Sequence, residues 1–132
     1  PSSVLLHAEL LSEVGGFDES MPVCEDYDLW LRIAKRFPFH FIEEKLIVKR
    51  GGHEDQLSRK FWGMDRWRVH ALEKLLQENI MNEDQRDGVV AMLIEKCGIL
   101  ASGYGKRGKI QDEEHYRNLA ARYSGLVEGL LK

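Results

Sequence analysis

The sequence predicts an α+β chain that is mainly helical, with short helices and short strands over residues 1–55 and three longer helices over residues 56–132. Three observations predict it. Apolar residues recur three and four apart in five stretches, which is the helical period. Aromatic and β-branched residues gather in two short runs between 39 and 49, which is strand composition. Gly-Gly pairs at 15–16 and 51–52 break the first part into small pieces.

From His7 to Val14, Leu10, Leu11 and Val14 share a helical face, and Gly15-Gly16 follows as a stop, so a short helix ends at Gly15. From Glu25 to Phe37, Trp30, Ile33, Ala34 and Phe37 keep helical spacing, with Lys35 and Arg36 in the last turn and Pro38 as terminator. Phe39–Ile42 and Leu46–Lys49, separated by Glu43-Glu44-Lys45, predict two short strands or a hairpin, and Gly51-Gly52 opens a loop. Beyond it Leu57, Phe61, Met64, Arg68, Leu72 and Leu75 predict one long helix of about 20 residues. Two further helices follow, one through Val89, Leu93, Cys97, Leu100 and Tyr104, the other from Tyr116 to Leu130. Asn82 and Gln85 form a capping-box pattern before the first of these, and Gly105 to Gly108 is the turn between them.

Composition excludes several functions. Hydrophobic residues make up 43% of the 132, enough for one domain or a small core with an appendage. Nineteen basic residues against 22 acidic ones leave a net charge of -3, with no basic block to meet a phosphate backbone, so nucleic acid is not an expected partner. No uninterrupted apolar run approaches the roughly 18 residues of a membrane span, and no signal-peptide pattern opens the chain. Cys24 and Cys97 form no CxxC pair, which favours a reducing compartment, with cytoplasm as the default. The chain opens at Pro1 and runs straight into Val4-Leu5-Leu6, so it is expected to be a piece of a longer protein.

Two motifs fail on chemistry. Gly103 to Lys109 spells GxxxxGK, but Ile110 replaces the Ser or Thr that would bind magnesium, and a helix rather than a strand precedes it. Asp26-Tyr27-Asp28 spells DxD, yet residues two apart on a helix point about 200° apart and cannot share one ion. Asp26 has Leu29 and Trp30 as its helical neighbours, so it is expected to face the body of the protein, with Asp28 on the wetter side. Glu25 and Asp26 are either first-turn acids favoured by the helix dipole or a general base beside an apolar wall. His53, after Gly51-Gly52, is a loop histidine with a weaker claim to a ligand or metal, and Arg50 has a weaker one still. The aromatic residues Phe61, Trp62 and Trp67 suit core packing better than a sugar platform, less clearly so for Trp62.

Taken in order, Ser3-Val4-Leu5-Leu6, Val14-Gly15-Gly16-Phe17-Asp18-Glu19, Cys24-Glu25-Asp26-Tyr27-Asp28-Leu29-Trp30-Leu31-Arg32, Leu46-Ile47-Val48-Lys49-Arg50 and His53 resemble the C-terminal half of the catalytic domain of family 2 glycosyltransferases. The resemblance covers Pro1 to about Ser58, and GGFDE and EDYDLWLR are its most specific pieces. It implies the C-terminal portion of a GT-A α/β domain over 1–55, then a helical extension over 56–132 outside the family's common core. It implies an inverting transferase that moves a sugar from a nucleotide-sugar donor to an acceptor hydroxyl. Asp26 would be the catalytic base, Glu25 would help to position the acceptor, and Trp30 would shape the acceptor wall. Arg50 and His53 would lie near the diphosphate, with His53 the candidate metal ligand. A divalent metal, Mn or Mg, is implied for the full-length enzyme, and none is expected tightly bound to this chain, which lacks the nucleotide-binding half and is expected to be inactive alone. Self-association is expected through an exposed sheet edge at Val4-Leu5-Leu6 or through the helical extension. Two other readings remain: a non-catalytic helical module that binds a protein, and a metal-dependent hydrolase built on His53, Glu54, Asp55 and Glu25-Asp26, for which HxH and HExxH spacings are missing.

Overall fold

The computed structural model describes residues 3–48, 50, 61–78 and 80–130, with side chains as far as Gly125. Among these residues it has five helices and no strand. The chain divides into two compact units, Pro1–Met64 and Asp65–Lys132. The expected division between 55 and 56 falls within residues 51–60, outside the described residues.

In the first unit α1 (Ala8–Val14) packs against α2 (Glu25–Ala34). Helix α1 stops where the sequence predicts, because Gly15 takes φ 80°, ψ 167°, a combination essentially reserved to glycine. Helix α2 is shorter than expected. The Arg36 and Phe37 amides both turn back to the Ile33 carbonyl, and Pro38 disfavours helical geometry at the residue before it. The core of this unit is Met21, Val23, Cys24, Leu29 and Ile33, each no more than 4% exposed, so the loop leading into α2 supplies as much of the core as the helix does.

Among the described residues the expected strands are not seen. Residues 39–48 make no regular element and are exposed throughout, with Phe41 at 89% and Val48 at 88% exposure. A lone ribbon of two short strands is marginal in water unless a third strand or a packed face supports it, and composition alone does not create that support. Val4 and Leu5, expected at a sheet edge, are likewise exposed and belong to no strand.

The second unit is helical, as expected, with α3 (Asp65–Gln77), α4 (Glu83–Gly105) and α5 (Ile110–Leu130). Helix α3 starts later than the apolar spacing predicts. Gly63, at φ 69°, takes the chain out of helical geometry just before Asp65, whose carboxylate then pairs with Arg68 at 2.6 Å. Helix α4 lies against both α3 and α5 and buries Val90, Leu93, Cys97, Leu100 and Tyr104. Its start carries the expected capping box: the Gln85 amide donates to Asn82 Oδ1 at 2.8 Å, and the Asn82 amide donates to Gln85 Oε1 at 3.2 Å.

The end of α4 closes in a Schellman turn, in which the Gly108 amide donates to the Gly105 carbonyl and the Lys109 amide to the Tyr104 carbonyl. Tyr104 stacks on Tyr116 of α5 with ring centres 5.6 Å apart, fastening the two helices beside that turn. The GxxxxGK letters thus lie on a helix end and its turn, not on a strand-to-helix loop. By length and composition alone α4 is apolar enough to cross a membrane, although Glu95 and Lys96 interrupt its apolar run. It packs against both α3 and α5.

Candidate functional site

The site is built around the N-terminal end of α2. The chain leaves α1 through Gly15-Gly16 and turns at Asp18, whose Oδ1 accepts both the Ser20 amide at 3.0 Å and the Ser20 hydroxyl at 2.6 Å. Met21 and Val23 then anchor the loop in the core. Cys24 enters the helix in the left-handed conformation, φ 62°, ψ 20°, with its sulfur 3.7 Å from the Met64 carbonyl oxygen. Glu25, Asp26 and Asp28 fill the first turn, where unbonded helix N–H groups favour negative charge.

The facing of these acids differs from the sequence expectation. Asp28 is buried at 1% exposure, whereas Asp26 and Trp30 are half-buried. The inward stripe is Asp28, Leu29, Arg32 and Ile33, so the helix is rotated relative to a wheel centred on Trp30 and Phe37. The cause lies in Arg32. Its Nε donates to Asp28 Oδ2 at 2.8 Å, Nη1 donates to the Val14 carbonyl and Nη2 donates to the Gly16 carbonyl at 2.7 Å. Carbonyls at the end of α1 lack helical partners, and a guanidinium is well suited to supply several donors at once. Burying the charge of Arg32 then requires a buried carboxylate beside it.

Asp26, four residues before Trp30, shares that residue's half-buried face. Asp26 Oδ1 accepts the Tyr27 amide at 2.8 Å. Glu25 is half-buried beside it. Glu25, Asp26 and Trp30 all lie on α2 and each is half-buried, so solvent reaches the Asp26 carboxylate. Arg50 is exposed and outside any regular element, and His53 lies outside the described residues. Among the described residues no three His, Cys, Asp or Glu side chains gather as a metal site. Asp28 and Arg32 are the residues that sequence reasoning missed. Their signal was an Asp-Arg pair four apart in register with Leu29 and Ile33.

The family described as Glycosyltransferase like family 2 matches residues 1–80, so the match includes α3. Over 58 residues, 44% of this chain, it is 40% identical to an uncharacterised glycosyltransferase of Rickettsia felis, covering 10% of that protein. An uncharacterised glycosyltransferase of Rickettsia conorii is 41% identical over 58 residues, again 44% of this chain and 9% of that protein. One from Rickettsia bellii is 34% identical over 58 residues, 44% of this chain and 8% of that protein. The chain thus spans at most a tenth of the length of these curated relatives. No solved structure matches it significantly.

Proposed function

This chain belongs to glycosyltransferase-like family 2, and from that premise we propose that it carries the acceptor-side base of an inverting, GT-A-type sugar transfer from a nucleotide-sugar donor. Asp26 is that base. In the step, the acceptor oxygen forms a bond to the anomeric carbon from the face opposite the leaving group. The bond from that carbon to the diphosphate oxygen breaks, the nucleoside diphosphate leaves with the electron pair, and the acceptor proton passes to the Asp26 carboxylate. The carrying observation is a half-buried carboxylate on the first turn of α2, on the face it shares with Trp30, inside the family-matched region. Proton transfer to a carboxylate in this position contributes about 10²–10⁴-fold. Glu25 helps to orient the acceptor, and Trp30 forms part of the wall against which it rests.

Arg50 and His53 are secondary candidates for contact with the diphosphate. Dependence on a divalent metal, Mn or Mg, is part of the same proposal, although the described residues supply no ligand cluster for it. A reducing, cytoplasmic setting belongs to the same proposal, on the ground that Cys24 and Cys97 form no CxxC pair. The activity is assigned to the longer polypeptide that contains this chain, and this chain alone is expected to show no micromolar binding of UDP- or GDP-sugars with manganese by isothermal titration.

The test is Asp26→Asn in that polypeptide. Turnover should fall by about 10²–10⁴-fold while donor affinity stays within about twofold. Turnover close to wild type would remove Asp26 as the base.

A further inference from the structure

Two acids in the first turn of α2 have opposite surroundings. Asp26 is half-buried, and Asp28, two residues on, is buried against Arg32. Residues two apart on a helix point about 200° apart, so one turn carries a partly exposed carboxylate and a buried one. The inward carboxylate is tied to the rest of the unit. Arg32 reaches from Asp28 to the carbonyls of Val14, at the end of α1, and Gly16, in the turn that follows. Its side chain is 13% exposed and that of Asp28 is 2% exposed, so water competes little with these bonds. Gly15, between the two carbonyls, holds φ 80°, which lets both of them meet one guanidinium.

We propose that Asp28 and Arg32 are positioning residues for Asp26: the guanidinium, held by the buried Asp28 carboxylate, fixes the first turn of α2 against the Val14–Gly16 turn and so sets where Asp26 stands. The proposal rests on Asp26 being the base and adds what holds it in place. The two acids of the DxD letters divide the work, Asp28 as the anchor and Asp26 as the proton acceptor. Neither Asp28 nor Arg32 meets the substrate.

A readout exists in the structure itself, because the Tyr27 amide donates to Asp26 Oδ1. Its hydrogen exchange, followed by NMR on this chain, reports the placement of the Asp26 side chain. The Phe37 amide, bonded to the Ile33 carbonyl just beyond the end of α2, reports the integrity of the helix. In Arg32→Lys, which keeps the charge but loses the fork, Tyr27 exchange should rise about tenfold or more while Phe37 changes by less than about twofold. Unchanged Tyr27 exchange, or an equal rise at both amides, would overturn the proposal, the equal rise because it marks general loss of stability. Should Arg32→Lys fail to fold, Asp28→Asn, which keeps the shape and an acceptor oxygen, is read the same way and decides between the same two patterns. The base assignment fails separately: active Asp26→Asn polypeptide overturns that assignment while the selective Tyr27 effect still stands as a fact about the turn.

Discussion

Gly15 is the residue on which the entry to the site turns. A Cβ there would meet Arg32 Nη1 at 3.7 Å, an ordinary contact, so space does not demand glycine; the backbone does. Its φ of 80° with ψ of 167° is open to almost no other residue, and Gly15→Ala should destabilise the first unit by about 1–3 kcal/mol, read as a lower denaturant midpoint. An unchanged midpoint would mean that the turn can be remade without glycine. Cys97, in the second unit, offers a test by pH. It has 0% exposure, and burial, with the charge of Glu73 adding, pushes its thiol from 9.0 up to about 11. Above the unfolded value the unfolded chain has lost a proton that the folded chain still holds, so this contribution to stability is complete below pH 9.0 and declines as pH rises toward about 11. The limiting slope is about 1.4 kcal/mol per pH unit for one group. Cys97→Ala should make the decline in unfolding free energy over that window shallower; an identical slope would show that Cys97 does not titrate in it. Tyr116 and Tyr123, both pushed up to about 12 mainly by burial, add to the loss at higher pH in either protein.

Helix ends were legible in the sequence because capping is local chemistry. Asn82 and Gln85 announce the start of α4 by side-chain bonds within four residues, and Asn82→Ala should lower stability by about 1 kcal/mol in thermal or denaturant unfolding. The glycine stop of α1 was legible for the same reason. What failed to show was whatever depends on distant partners. The rotation of α2 is decided by carbonyls 16 and 18 residues away that recruit Arg32, and hence Asp28, into the interior. A helical wheel that ranks residues by hydrophobicity places an Asp and an Arg outside and Trp30 inside, and so it put Asp28 on the wetter side. Strands are the extreme case, since a strand exists only by pairing. Phe39–Ile42 and Leu46–Lys49 have the composition of strands, but their described residues form no regular element and are exposed. Asp26 itself was legible as a candidate from the motif around it, while the clamp behind it required the structure.

At the scale of the whole molecule, the exposed apolar side chains are unevenly shared. In the second unit the large exposed ones, among the described residues, are Ile80, Ile99 and Ile110, scattered over separate segments. That gives little support to a binding face on the helices. In the first unit Phe39, Phe41, Ile42, Leu46, Ile47 and Val48 crowd one exposed segment of ten residues. Contiguous apolar exposure of this kind is unusual on a monomer, and segments rich in aromatic and β-branched residues with unpaired backbone groups tend to pair with other chains. The expectation is therefore that this chain self-associates through residues 39–48, rather than through its helices. Sedimentation velocity at increasing concentration should show species larger than 15.3 kDa. Phe41→Lys combined with Val48→Lys should return the chain to monomer without altering its helical signal, since both side chains are almost fully exposed and belong to no helix. A clean monomer for the unsubstituted chain at high concentration would show that the segment does not pair with itself, and association that survives the two lysines would move the contact elsewhere.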